Sequence, residues 1–231
     1  MQYVELKEAL KDFTIFSLND IKRIDRSFFR TRLNEWQGKG YIKKVIKGYY
    51  IFSDLELNEN ALFEIANKIY KPSYVSFETA LSFYHLIPES VYGITSASTR
   101  RTYKFKTQMA EFSYRTIKPE LFFGYELVSF QDTPSPFPLP YGERIKVRGK
   151  RKFLYYQDKR FKIASIEKTI LDYFYINSHI KKENDFACLR MNKDIFLKQV
   201  NEEKVYHFLE KFAQKRLGKR IKSFLEFMQN A

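Results

Sequence analysis

Three features of the sequence predict an α+β chain in two parts. A short opening stretch alternates helix-like and strand-like patterns. A middle stretch is dense in Tyr, Phe, Thr and Val, and the final third is patterned for helices. The expected parts are a small domain over residues 1–53 and a larger mixed α/β domain over 61–231, with strands at about 91–164 and a helical tail at about 165–230.

The opening helix is marked by Leu6, Ala9, Leu10 and Phe13 at i, i+3, i+4 and i+7, with charges between them. Thr14-Ile15-Phe16 reads as an extended link. Ser17 is placed to cap a second helix, with Asp20 three residues on and Leu18, Ile21 and Ile24 on its apolar side. A third helix is expected from about Ser27 to Gln37, packed through Phe29, Leu33 and Trp36 and ended by Gly38 and Gly40. Tyr41–Val45 and Tyr49–Phe52, around Ile46-Lys47-Gly48, form a hairpin pattern. Three helices and a hairpin within 53 residues spell a winged helix-turn-helix. The polar stretch 53–60 is the expected linker.

Beyond it, Leu62, Ile65, Ala66 and Ile69 mark a helix ended before Pro72, and Ser76–His85 another stopped by Pro88. Residues 91–130 read as several strands, with Lys118-Pro119-Glu120 as a turn. Four prolines fall within Pro134–Pro140, the pattern of a loop or ordered excursion. Arg144-Ile145-Lys146-Val147-Arg148 alternates as a strand with one basic face, and Phe153–Tyr156 with Phe161–Ala164 suggests a hairpin. Helices are then expected over Ser165–Tyr175, Lys193–Val200, Glu202–Lys215 and Lys219–Gln229.

The composition narrows the function. Of 231 residues, 44% are hydrophobic, including 17 Tyr and 23 Phe, which excludes a disordered chain. No apolar run approaches the ~18 residues of a membrane span, and the first residues lack a secretory core, so a cytoplasmic protein is expected. The single cysteine, Cys188, is expected as a buried core residue in a reducing compartment. Forty-one Lys and Arg against 27 Asp and Glu leave a net charge of +14. Residues 1–53 hold 11 basic and 6 acidic side chains, residues 54–140 hold 8 and 10, and residues 141–231 hold 22 and 11. Two basic ends around a near-neutral middle point to polyanion contact at two surfaces.

On the third helix a 100° wheel sets Ser27, Thr31 and Asn34 opposite the packing face, with Arg30 and Arg32 flanking and Arg26 just before. Asn can pair bidentately with adenine and Arg with guanine, while Ser and Thr suit phosphate. Lys22 and Arg23 at the end of the second helix, and Lys43, Lys44 and Lys47 on the wing, are further phosphate candidates. A second basic patch is expected from Arg144, Lys146 and Arg148, extended by Lys150, Arg151 and Lys152.

Catalytic signals are sparse. His85, His179 and His207 lack metal-ligand spacing, and neither a Gly-rich phosphate loop nor a nucleophile elbow occurs, so no enzyme, metal or cofactor is expected. Asp132, Glu143 and Lys146 only loosely suggest a metal-dependent nuclease. Glu167 and Asp172 are read as helix-capping and ion-pairing groups facing the basic strands. A regulator with a ligand-sensing second domain remains an alternative.

Several segments, in order, carry a family resemblance. Gly40-Tyr41-Ile42 with Lys47-Gly48-Tyr49-Tyr50 is similar to the wing of the AbiE-type antitoxins of bacterial abortive-infection systems. Downstream, Pro72–Ser76, Ala80-Leu81 and Leu86–Glu89 resemble that family's opening helix. Phe112–Ile117 with Phe123-Gly124-Tyr125 resembles its central strands, and Ile163–Asp172 its strand-to-helix signature. The resemblance spans roughly residues 15–175. It implies a repressor of its own operon that binds inverted-repeat operator DNA, as a monomer or weak dimer cooperative on DNA. It also implies a functional partner, a nucleotidyltransferase-like toxin. The tail from about Lys181 follows no motif of the family.

Overall fold

The computed structural model describes residues 1–88, 93–130 and 159–230. The chain is α+β with a helical C-terminal tail, and its described residues fall into two compact units. The first holds Met1–Glu64 with residues 128–130 and 159–161; the second holds Ile65–Leu127 with 162–230. The expected linker at 53–60 lies within the first unit, its last two residues already helical.

The first unit runs α1 (Tyr3–Ala9), β1 (Phe16–Ser17), α2 (Leu18–Ile24), α3 (Thr31–Gly38), β2 (Ile42–Ile46) and β3 (Tyr49–Phe52). The strands form an antiparallel sheet in the order β1-β3-β2, so the predicted extended link at Phe16 is a strand paired to Tyr50. A capping box starts α2: Asp20 N–H donates to Ser17 Oγ, and Ser17 N–H donates to Asp20 Oδ2 at 2.8 Å. Gly40, at φ +71°, ends α3, with Tyr41 N–H returning to the Trp36 carbonyl at 2.9 Å and Gly40 N–H to that of Gln37. Leu6, Leu10, Phe16, Ile21, Phe28, Leu33, Trp36, Ile42, Tyr50 and Phe52 form the core.

Three expectations fail here. The third helix begins at Thr31, not Ser27, and Phe28 rather than Phe29 packs inward. Asp25 is extended and the chain turns before Thr31, so the helical period does not apply over residues 27–30. Ile24, expected on the apolar side of the second helix, is exposed where α2 gives way to this turn.

The second sheet has six strands in the order β6-β7-β5-β4-β9-β8. Along the chain these are β4 (Ser73–Val75), β5 (Gly93–Ser98), β6 (Tyr103–Lys106), β7 (Glu111–Thr116), β8 (Tyr125–Ser129) and β9 (Arg160–Ala164). β5 and β7 pair in parallel from Gly93↔Glu111 to Ser98↔Thr116, and β4 and β9 in parallel at Val75↔Ile163; β4–β5 and β6–β7 are antiparallel. The helices are α4 (Glu59–Ile69), α5 (Phe77–Phe83), α6 (Ile166–Ile176), α7 (Glu183–Cys188), α8 (Lys193–Gln199), α9 (Glu202–Phe212) and α10 (Lys215–Asn230). The domain boundaries fall inside α4, β8 and β9.

Of the tail helices, α7 is unanticipated. Its one buried residue, Phe186, packs near Phe174 and Phe224, which is too little apolar periodicity to mark six residues as a helix. Cys188, two positions on, is exposed rather than buried, because this short helix commits a single side chain to the core. The Pro-rich stretch, the strand at 144–148 and the hairpin arm at 153–156 lie outside the described residues.

The core of the second unit gathers Tyr74, Phe77, Leu81, Ala164, Ile170, Leu171, Phe174, Phe212, Ile221 and Phe224 among others, so α5, α6, α9 and α10 are built around one apolar centre. The chain is tightly packed at Gly124, φ +70°, whose carbonyl accepts Ser165 N–H at 2.9 Å. A Cβ there would stand 3.1 Å from Phe208 and 3.2 Å from Lys168 Cγ and Cδ. Gly124→Ala therefore combines an unfavourable φ with crowding against a buried side chain, and should lower stability by about 1–3 kcal/mol. Urea melts of the two proteins would show it; equal midpoints would mean that the close approach costs nothing.

Candidate nucleic-acid interface

The cations of the first unit lie on its solvent side. Lys22 and Arg23 end α2, Arg26 follows in the turn, and Arg30 is the N-cap residue of α3; all four are exposed. Thr31, Arg32 and Asn34 are exposed on α3 while Leu33 and Trp36 are buried, so the helix has the predicted inner face from Thr31 onward. Lys43 and Lys44 are consecutive in β2 and would be expected to face opposite ways. Both are nonetheless exposed on this edge strand, whose register shifts just after them, between Lys44 and Ile46. Lys47 stands in the turn beside Gly48, φ +90°.

These groups differ in how free they are. Arg23 sits 3.8 Å from Asp20. Arg32 donates to the Met1 carbonyl, and Ser27 donates both its N–H and its hydroxyl to Asp25, at 2.9 and 2.6 Å. The Ser27 hydroxyl, with the Met1 amine 3.3 Å away, holds the Asp25 carboxyl below the usual carboxylate range. Glu35 is neutralised by Lys39 at 2.6 Å, and that hydrogen bond likewise lowers its pKa. Both nearby acids are thus satisfied locally. Lys22, Arg26, Arg30, Lys43, Lys44 and Lys47 carry no ion pair among the described residues. Six such cations on one small unit raise the local potential and attract a polyanion. The second basic patch, Arg144, Lys146, Arg148, Lys150, Arg151 and Lys152, lies outside the described residues.

The second unit keeps its most unusual polar groups inside. Lys168 Nζ donates to Asp172 one turn along α6 and to Tyr74 Oη at 2.9 Å. Tyr74 Oη and Ser76 Oγ donate to the other Asp172 oxygen at 2.8 and 3.0 Å. The rings of Phe123, Phe212 and Tyr74 surround the ammonium at 5.1, 5.1 and 5.5 Å. All four polar residues are fully buried, so the cluster ties β4 and the start of α5 to α6 and presents nothing to solvent. Burial pushes the Asp172 carboxyl up and the Lys168 ammonium down, while their mutual contact opposes both shifts.

Sequence reasoning placed Asp172 against the basic strands; its partner is Lys168 of the same helix. Glu167 accepts from Ser165 Oγ at 2.9 Å and faces Lys204 of α9 at 2.8 Å. The available signal was Lys168 itself, four residues before Asp172 and flanked by Ile166, Ile170 and Leu171. His85, His179 and His207 are exposed, and no group of metal-ligating side chains forms among the described residues.

Comparison with known protein families and with curated proteins found no match.

Removing one partner of a buried pair strands the other charge. Lys168→Met should therefore cost about 3–5 kcal/mol in urea unfolding, and adding Asp172→Leu should recover much of the loss. Losses that simply add in the double variant would show that the two residues are not coupled.

Proposed function

We propose that the chain is a DNA-binding regulator whose first unit works as a winged helix, with α3 in the major groove and the β2–β3 turn on the neighbouring backbone. The observation that carries this reading is the set of exposed cations without ion pairs among the described residues, Lys22, Arg26, Arg30, Lys43, Lys44 and Lys47, in the same unit as the exposed Thr31 and Asn34. Their division of labour follows from chemistry. Lysines on a flexible stem neutralise phosphates, Arg26 in the turn before α3 and Arg30 at its N-cap reach phosphate or guanine, and Asn34 offers the donor–acceptor pair that adenine requires. Ser27 and Arg32, engaged with Asp25 and Met1, serve the fold.

The finer reading rests on the family resemblance. In it the chain is a cytoplasmic antitoxin that represses its own operon by binding an inverted repeat, opposite a nucleotidyltransferase-like toxin, and is not itself an enzyme. The fully buried Ser165–Asp172 segment supports it, since a signature with a structural task explains its pattern without catalysis. No helix among the described residues is long and apolar enough to cross a membrane.

Anisotropy titrations of the full chain with the DNA upstream of its gene test the proposal. Log K should fall steeply with log salt, by about 0.9 for each phosphate neutralised. Asn34→Ala should cost about 1–3 kcal/mol on the cognate site and relax one base position, whereas Lys44→Ala should weaken cognate and random duplexes alike. A flat salt dependence, or identical behaviour of the two variants on every sequence, contradicts the proposal.

A further inference from the structure

Two adjacent phenylalanines precede α3 and take opposite fates. Phe28 is 5% exposed, with its ring 5.4 Å from Trp36; Phe29 is 72% exposed. The segment is not slack. Phe28 N–H donates to the Asp25 carbonyl at 3.2 Å, the Asp25 carboxylate holds the Ser27 backbone, and the Phe29 carbonyl accepts Arg32 N–H at 3.1 Å. With Phe28 anchored in the core on one side and the first turn of α3 bonded on the other, Phe29 is held out in water.

Its surroundings say what it meets there. Arg26 and Arg30 lie on either side of it in sequence, Thr31 and Asn34 follow, and all four are exposed polar side chains. A single phenyl ring is too small to hold a second protein, whose stable contact needs on the order of 1,000 Å². Duplex DNA suits both features at once. Its phosphates take the arginines, and its major groove holds one apolar group among the donors and acceptors of the base edges, the C5-methyl of thymine.

We infer that Phe29 is a specificity-determining residue that packs its ring on a thymine methyl at the start of α3. The inference rests on the DNA-binding reading above and adds a base identity to it.

The test uses the full chain and the duplex it enriches from a pool of random duplexes, with each thymine replaced in turn by uracil, which lacks only the methyl. Loss of one buried methyl contact should weaken wild-type binding about three- to tenfold at one thymine of each half-site. Phe29→Ala should lose a similar factor on the thymine duplex and show no further loss on the uracil duplex, with its melting temperature unchanged. Phe29→Leu should keep most of the thymine preference. Wild-type indifference to uracil at every position overturns the inference, as does an unchanged affinity of Phe29→Ala. Equal losses for Phe29→Ala on thymine and uracil duplexes also overturn it, since the ring would then be stacking or wedging rather than reading a methyl. In each of these cases salt-sensitive binding persists and the DNA-binding reading survives. If no duplex is enriched, both fall.

Discussion

The second unit depends on one buried ion pair. Lys168 and Asp172 lie a single helical turn apart in α6, and the Tyr74 and Ser76 hydroxyls complete the coordination of the carboxylate. Burying two charges costs several kcal/mol per ion before pairing repays it, so every proton and lone pair in such a cluster must be used. That requirement fixes the neighbourhood. β4 must place Tyr74 inward, Ser76 must follow it immediately, and α6 must start where Lys168 meets both. Phe123 and Phe212 close the remaining side of the ammonium with ring faces, which attract a cation where water is excluded. Gly124 then lets the chain pass over the lysine stem. A one-residue slip of β4 would turn Tyr74 away and leave the pair incomplete, so the cluster discriminates against wrong registers.

The first unit spends its polar groups in the opposite manner. Its core is apolar and aromatic, from Leu6 to Phe52, and its charges stand outside. The few acids close to the cations are paired off, Asp25 with Ser27 and the amino terminus, Glu35 with Lys39. An edge strand normally needs protection from pairing with other chains, and lysines on β2 supply it. The same lysines leave the β2–β3 hairpin positively charged. One arrangement serves both solubility and attraction to a polyanion.

Much of this was legible in the sequence where a local rule governs a residue. Ser17 with Asp20, and Gly40 and Gly48 at their turns, announce themselves, because caps and positive φ angles need particular residue types. The inner face of α3 followed from Leu33 and Trp36. What failed did so at a boundary or through tertiary context. Phe28 and Phe29 cannot be told apart by a wheel that assumes a helix the chain has not yet entered. Cys188 looks like core until α7 proves to bury only Phe186. The exposure of both Lys43 and Lys44, consecutive on β2, is not what a pattern of alternation gives. The Lys168 cluster joins residues 74 and 76 to 168 and 172, a separation of more than ninety positions that single-chain periodicity does not span. The cationic character of the candidate site was readable from composition, but the engagement of Ser27 and Arg32 by Asp25 and Met1 was not.

The central claim is that the exposed side of α3 and the β2–β3 turn form the surface that meets DNA. Backbone amide spectra of the ¹⁵N-labelled chain, recorded as the enriched duplex is added, address it residue by residue. The account expects the largest shifts at residues 26–34 and 43–47, with the amides around Lys168 and Asp172 unmoved. Shifts confined to the second unit, or none at duplex concentrations that saturate the anisotropy signal, would contradict it.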